Sequence, residues 1–115
     1  MSLKRLILAV GLSVLISSEF NRFMHGVVIK QVHKFRFLKI AEIGVLIRPF
    51  YLSHDTLKQV LKYCDYDYPR KKDGTPLSYT DLREADFLSH IAFIERICAE
   101  NGYELEFTKE LENAK

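Results

Sequence analysis

Apolar positions recur at helical spacing in three stretches of the chain. From Leu3 to about Met24 they cover nearly every face: Leu3, Leu6, Ile7, Val10 and Val14 line one side, and Leu8, Leu12 and Leu15 fill the others. A helix that is apolar all round must be covered by other elements, by a second subunit or by lipid, and Gly26 is placed to end it. Over 53–64, Leu57, Val60, Leu61 and Cys64 form a single stripe. Ser53 stands where an N-cap is wanted, and Asp55 falls in the first turn, where the positive end of the helix dipole favours a carboxylate. Over about 81–100 the seam is Phe87, Ile91, Ile94 and Cys98, with Asp81 and Glu84 in a capping-box pattern and Gly102 just past the end.

Between these stretches the pattern changes. Val27 to Ile43 contains no Gly or Pro and no strict alternation, which predicts a helix over 28–43 with Gly44 beyond it. The β-branched residues Val27, Val28, Ile29, Val32, Ile40 and Ile43 pull instead towards strand, and Pro49 stops any helix before the next element. Residues 66–79 are rich in turn formers. Asp73-Gly74 predicts a short exposed hairpin, with Pro69 and Pro76 confining its arms to edges. Tyr103, Leu105 and Phe107 alternate with Glu104, Glu106 and Thr108, the period of a half-buried strand. The expected fold class is therefore α+β and mainly helical, one domain over 1–115. It comprises an N-terminal apolar helix over 1–24, a central region over 28–80, and a long C-terminal helix with a short strand over 81–110.

A chain of 115 residues that is 48% hydrophobic can bury a core without staples, and its composition excludes collagen, low-complexity disorder and a disulfide-dense scaffold. The net charge of +2 hides a division: residues 1–72 carry +8 and residues 73–115 carry −6. Such asymmetry points to an anionic partner for the basic part, or to neutralisation within the fold or across a dimer. Lys4 and Arg5 ahead of the apolar run Leu6–Ile16 resemble the start of a signal peptide. Yet a cut after Ser17 or Ser18 would place Leu15 or Ile16 where a small residue is needed, and the run is short of the roughly 20 residues that span a bilayer. A buried helix is the favoured reading, with an uncleaved anchor and a signal peptide as the alternatives. Two cysteines fit a reducing compartment, so a cytoplasmic location is expected, with membrane association through residues 3–24 left open.

Ile40-Ala41-Glu42-Ile43 before a break, Leu52 to Lys62 on a capped helix and Arg70-Lys71-Lys72-Asp73-Gly74 at a hairpin tip follow one another in an order that resembles a winged helix-turn-helix over residues 28–80. Leu77-Ser78-Tyr79-Thr80 resembles the strand returning to a terminal helix. The resemblance implies a second helix entering the major groove, a wing against phosphate and terminal helices that dimerise. The residue types agree with it: Lys58, Lys62, Arg70, Lys71 and Lys72 can neutralise phosphates, and His54 and Gln59 can meet base edges. The expected function is a small regulator binding duplex DNA, as a homodimer through Phe87, Ile91 and Ile94. The alternative is a non-enzymatic inhibitor or immunity-type factor whose basic face binds an acidic protein.

Other features carry less. Lys30 to Lys39 interleaves Lys34, Arg36 and Lys39 with Phe35 and Phe37, a pattern able to stack on single-stranded nucleic acid or lie on an anionic membrane, and equally able to put its aromatics in the core. Arg83 and His90, seven residues apart on one helix, resemble the pair of HEPN-type ribonucleases, which act on RNA phosphate and the 2′-hydroxyl. Cys64 and Cys98 fall on apolar seams, where buried structural thiols are expected. Asp65 and Asp67 make a weak metal pair. With no CxxC, HExxH, Gly-rich phosphate loop or GxSxG, no catalytic residue, metal or cofactor is assigned.

Overall fold

In the computed structural model, which describes residues 17–106, the first helix runs through Gly26 instead of ending there. This helix, α1, is α-helical over Ser17–Phe23, widens to a π-helix over Met24–Ile29 and closes as an α-helix over Lys30–Val32. An interior glycine costs a helix about 1 kcal/mol. Burial of Met24, Val28 and Ile29 around it, at about 1.5–3 kcal/mol each, outweighs that cost. The apolar run before Ser17, and with it the anchor and signal-peptide alternatives, lies outside the described residues. No helix among the described residues is long and apolar enough to cross a membrane.

The helix expected over 28–43 stops at Val32, and a hairpin takes its place. Strands β1 (Leu38–Ile40) and β2 (Val45–Ile47) pair antiparallel, with Leu38 opposite Ile47, Lys39 opposite Leu46 and Ile40 opposite Val45. The β-branched content decides here because two-sided placement satisfies it: Leu38, Ile40 and Ile47 are buried while Lys39 and Leu46 face out. The strands join through a 3-10 turn over Ala41–Ile43 and Gly44 at φ 65°, a left-handed backbone that side chains with a Cβ rarely adopt. Ahead of β1, Phe35 leaves the helix to stack on Tyr103, ring centroids 3.9 Å apart.

Pro49 opens a 3-10 turn over Pro49–Tyr51 that leads into α2 (His54–Cys64). Its cap is the expected one, with Ser53 Oγ accepting from the Thr56 N–H at 3.1 Å. The last helix, α3 (Glu84–Glu100), starts later than the Asp81–Glu84 capping box requires, and that box does not form. Asp81 sits instead in a 3-10 turn over Tyr79–Asp81, which Ser78 caps. The Gly102 and Tyr103 N–H groups turn back to the carbonyls of Ala99 and Cys98 at 3.0 and 2.8 Å, which ends α3 in a Schellman motif.

The C-terminal strand expected from Tyr103 onward is not formed as far as Glu106, although the alternation holds, with Leu105 buried and Glu104 and Glu106 exposed. Its backbone pairs with a side chain instead: Gln31 donates to the Glu106 carbonyl at 2.7 Å and accepts from its N–H at 2.8 Å. Asn101 meets Lys39 on the edge of β1 in the same way, at 2.9 Å in each direction.

Phe87, Ile91, Ile94 and Cys98 are all fully buried, so the α3 seam is core as its spacing predicts. What fills it is the chain itself. Phe20 of α1 stacks on Phe87 with centroids 4.1 Å apart, and Phe23 meets the same ring edge-on at 6.1 Å. Phe87, Ile91 and Ile94 are thus enclosed within one chain and present no exposed side chain. The described residues form an α+β, mainly helical structure with one small antiparallel sheet.

Candidate nucleic-acid interface

The hairpin expected between α2 and α3 is present, its turn set one residue earlier than Asp73-Gly74 implies. The Lys71 N–H donates to Thr75 O at 2.8 Å and the Gly74 N–H to Lys71 O at 2.9 Å, so Lys72 and Asp73 are the central pair. Gly74 follows at φ 88°, the left-handed residue of a three-residue loop. Asp73 Oδ1 accepts from the Thr75 hydroxyl at 2.6 Å and its N–H at 3.0 Å, and these bonds hold the Asp73 carboxyl below its ordinary pKa. Arg70, Lys71 and Lys72 are all exposed at this tip. Arg70 also ties the hairpin to the end of α2. Its guanidinium lies 4.9 Å from the Tyr63 ring centroid and donates to Tyr63 O at 3.2 Å.

The basic face expected on α2 is mostly occupied. His54 and Gln59 are exposed as expected. Lys58 is only 17% exposed, its Nζ held by Asp55 at 3.1 Å and by His25 Nε2 at 3.3 Å. Burial, and then the Lys58 charge, lower the His25 pKa, which favours the neutral ring that accepts from the ammonium. Lys62 is 3% exposed, and its placement on an open reading face is corrected. Its Nζ donates to Leu77 O at 3.0 Å and stands 4.2 Å from the Tyr79 ring centroid. The segment after α2 folds back over this flank of the helix, which a helical wheel of α2 alone cannot show. His54 lies at the other end of α2 against His33, ring centroids 4.3 Å apart.

Burial pushes the Lys62 pKa down from 10.5 to about 8. The unfolded chain thus holds more protons between those values, so this group makes stability rise with pH from about 8 towards 10. Above about pH 10 the buried Tyr68 and Tyr79, with raised pKa values, act in the opposite direction. Lys62→Met is expected to raise stability at pH 7 and to flatten the rise between pH 8 and 10. Tyr68 Oη continues to satisfy Leu77 O, at 2.7 Å. Urea melts of both proteins at pH 7, 8.5 and 9.5 check this, and a large loss at pH 7 would show that the ammonium stabilises the fold.

Beneath this flank lies a buried polar chain that spacing along the sequence does not reveal. His90 Nδ1 donates to Asp65 Oδ2 at 2.8 Å, and Tyr79 Oη donates to His90 Nε2 at 3.2 Å. Asp65 Oδ1 accepts from the Asp67 N–H at 3.1 Å. Desolvation lowers the His90 pKa against the opposing pull of Asp65, so the neutral ring fits this arrangement. His90 is fully buried, while Arg83 is 84% exposed and paired with Asp86. His90 is thus enclosed in the core while Arg83 stands in solvent. No group of three or more His, Cys, Asp or Glu among the described residues is arranged to hold a metal. Burial raises the Cys98 thiol to about 12, and it raises the half-buried Cys64 as well.

A second surface, near the start of α2, comes from the hairpin that replaced the expected helix. Phe37 and Leu46 are each 55% exposed, Phe50 51% and Tyr51 65%. Arg36, Lys39 and Arg48 are exposed among them. The Lys30–Lys39 pattern marks Arg36, Phe37 and Lys39, whereas Leu46, Arg48, Phe50 and Tyr51 join them only through strand register and the turn after β2. Comparisons with protein-family models, with curated proteins and with solved structures find no match to this chain.

Proposed function

We propose that the chain is a small DNA-binding regulatory protein that meets duplex DNA with α2 and the hairpin that follows it. The observation that carries this reading is the Arg70–Tyr63 contact, which sets the exposed Arg70-Lys71-Lys72 tip against the end of the helix that exposes Gln59. In winged-helix terms α2 and the hairpin act as recognition helix and wing, and the helix preceding the turn has no counterpart, because residues 38–47 form a hairpin. The phosphate contacts fall to Arg70, Lys71 and Lys72, with Gln59 and His54 facing outward from α2, while Lys58 and Lys62 are spent on internal partners.

Replacing Arg70, Lys71 and Lys72 together by alanine is expected to weaken binding to every duplex and to reduce the salt slope by about 0.9 for each phosphate left without its cation. Gln59→Ala should instead relax preference at one base pair by about 1–3 kcal/mol. Filter binding at two salt concentrations on specific and scrambled duplexes reads both effects. Failure of the wild type to bind any duplex at low salt rejects the reading. The competing reading, an acidic protein on the same surface, is favoured by the exposed Tyr63 ring against Arg70, since Tyr and Arg are the types that anchor protein interfaces. Capture of a partner that survives nuclease treatment would decide for it.

A further inference from the structure

We propose that the outer face of the β1–β2 hairpin, with the turn after it, is a binding site for the unpaired nucleotides of single-stranded nucleic acid. The site lies towards the opposite end of α2 from the Arg70–Lys72 tip and does not depend on the duplex reading. Arg36, Phe37, Leu46, Arg48 and Tyr51 line a depression of about 340 Å³, large enough for a base with its sugar and phosphate. Phe37, Leu46 and Tyr51 supply aromatic and aliphatic walls, Arg36 and Arg48 supply cations, and no acidic side chain among the described residues lines it. Glu42, the sole acid between Val27 and Leu52, is held by Arg96 at 2.9 Å.

Register sets the chemistry of this face. The ladder puts Lys39 opposite Leu46, and Phe37 and Arg48, which flank the two strands, line the depression together. Apolar and cationic side chains thus share this face. Lys39 lies two residues beyond Phe37, within about 7 Å along the chain. That spacing lets a base lie on the ring while its phosphate reaches the ammonium. Arg36 extends the pattern, with its guanidinium 5.7 Å from the Phe50 ring centroid. Aromatic platforms beside cations bind unpaired bases without sequence preference. A duplex offers phosphates to such a face but keeps its base faces stacked away from Phe37 and Tyr51. A shallow depression lined by arginines suits a planar ring and its phosphate better than a bilayer, which takes a projecting apolar apex.

The test measures anisotropy of a short labelled oligothymidylate against a duplex of equal charge and against vesicles rich in phosphatidylserine. The wild type is expected to prefer the single strand. Phe37→Ala and Tyr51→Ala should each weaken it about tenfold, with Phe37→Tyr retaining affinity. Arg48→Ala should weaken it and lower the salt slope by about 0.7. Both aromatic side chains are more than half exposed, so these variants should keep the wild-type melting temperature. The triple alanine variant at Arg70, Lys71 and Lys72 should keep single-strand binding whether or not it loses duplex binding, which separates this site from the duplex proposal. Three outcomes would overturn the site: no oligothymidylate binding at low salt, aromatic variants that bind like the wild type, or vesicle binding that alone depends on Phe37 and Tyr51.

Discussion

His90→Ala is expected to destabilise the protein by about 3–5 kcal/mol, because it leaves Asp65 Oδ2 buried without a donor, with only the Asp67 N–H on Oδ1, and empties a core site. The missing ring also opens a cavity against Tyr68 and Phe93, whose rings lie 4.7 and 6.3 Å away, and strips Tyr79 Oη of its acceptor. Asp65→Asn should cost less, since an amide oxygen can still accept from Nδ1. Urea melts of the three proteins measure the difference, and a loss below about 1 kcal/mol for His90→Ala would show that the chain of polar groups is peripheral. The sign of the pH dependence follows from the lowered His90 pKa. Below its ordinary value of 6.5 the unfolded chain takes the proton first, so stability falls as the pH drops from about 6.5. His90→Gln should remove that part of the acid sensitivity.

Phe87→Ala is expected to cost a similar amount, about 3–5 kcal/mol. Phe87 is fully buried, and its stacking on Phe20 and edge contact with Phe23 join α3 to α1. Aromatic pairs contribute about 0.5–1.5 kcal/mol beyond area burial, so the loss should lie towards the upper end of the range. Sedimentation run beside the melts should show the same association state for variant and wild type in buffer, because the ring is enclosed by its own chain. A variant that changed oligomeric state at unchanged stability would point to a homodimer through this seam.

The elements legible in the sequence are those whose signals are local and mutually consistent. In α2, the cap at Ser53, Asp55 in the first turn and the Leu57–Leu61 stripe agree, and the helix starts where they say. The α3 seam is read correctly for the same reason, as is the presence of a hairpin between α2 and α3, with its turn one residue earlier than Asp73-Gly74 implies. The β1–β2 hairpin is not, because strands of three residues give period two almost no room to register, and Gly44 is the only turn signal between them. Without the register, Leu46 and Arg48 have no reason to be grouped with Phe37. Lys62 fails for another reason. Its wheel position is that of a solvated lysine, and only the fold-back of Tyr68, Leu77 and Tyr79 buries it. His90, Tyr79 and Asp65 belong to separate segments, so their meeting is a property of the assembled core.

The clasps by which Asn101 grips Lys39 and Gln31 grips Glu106 join residues 62 and 75 positions apart. During synthesis the β1–β2 hairpin emerges well before α3, whose buried side chains complete the core. Until Asn101 is made, the β1 edge has no side-chain amide to close it, and such an edge is open to pairing with another chain. Closure of the β1 edge thus waits for residues 62 positions further along the chain, and ordering of the Glu106 backbone for a partner 75 positions earlier.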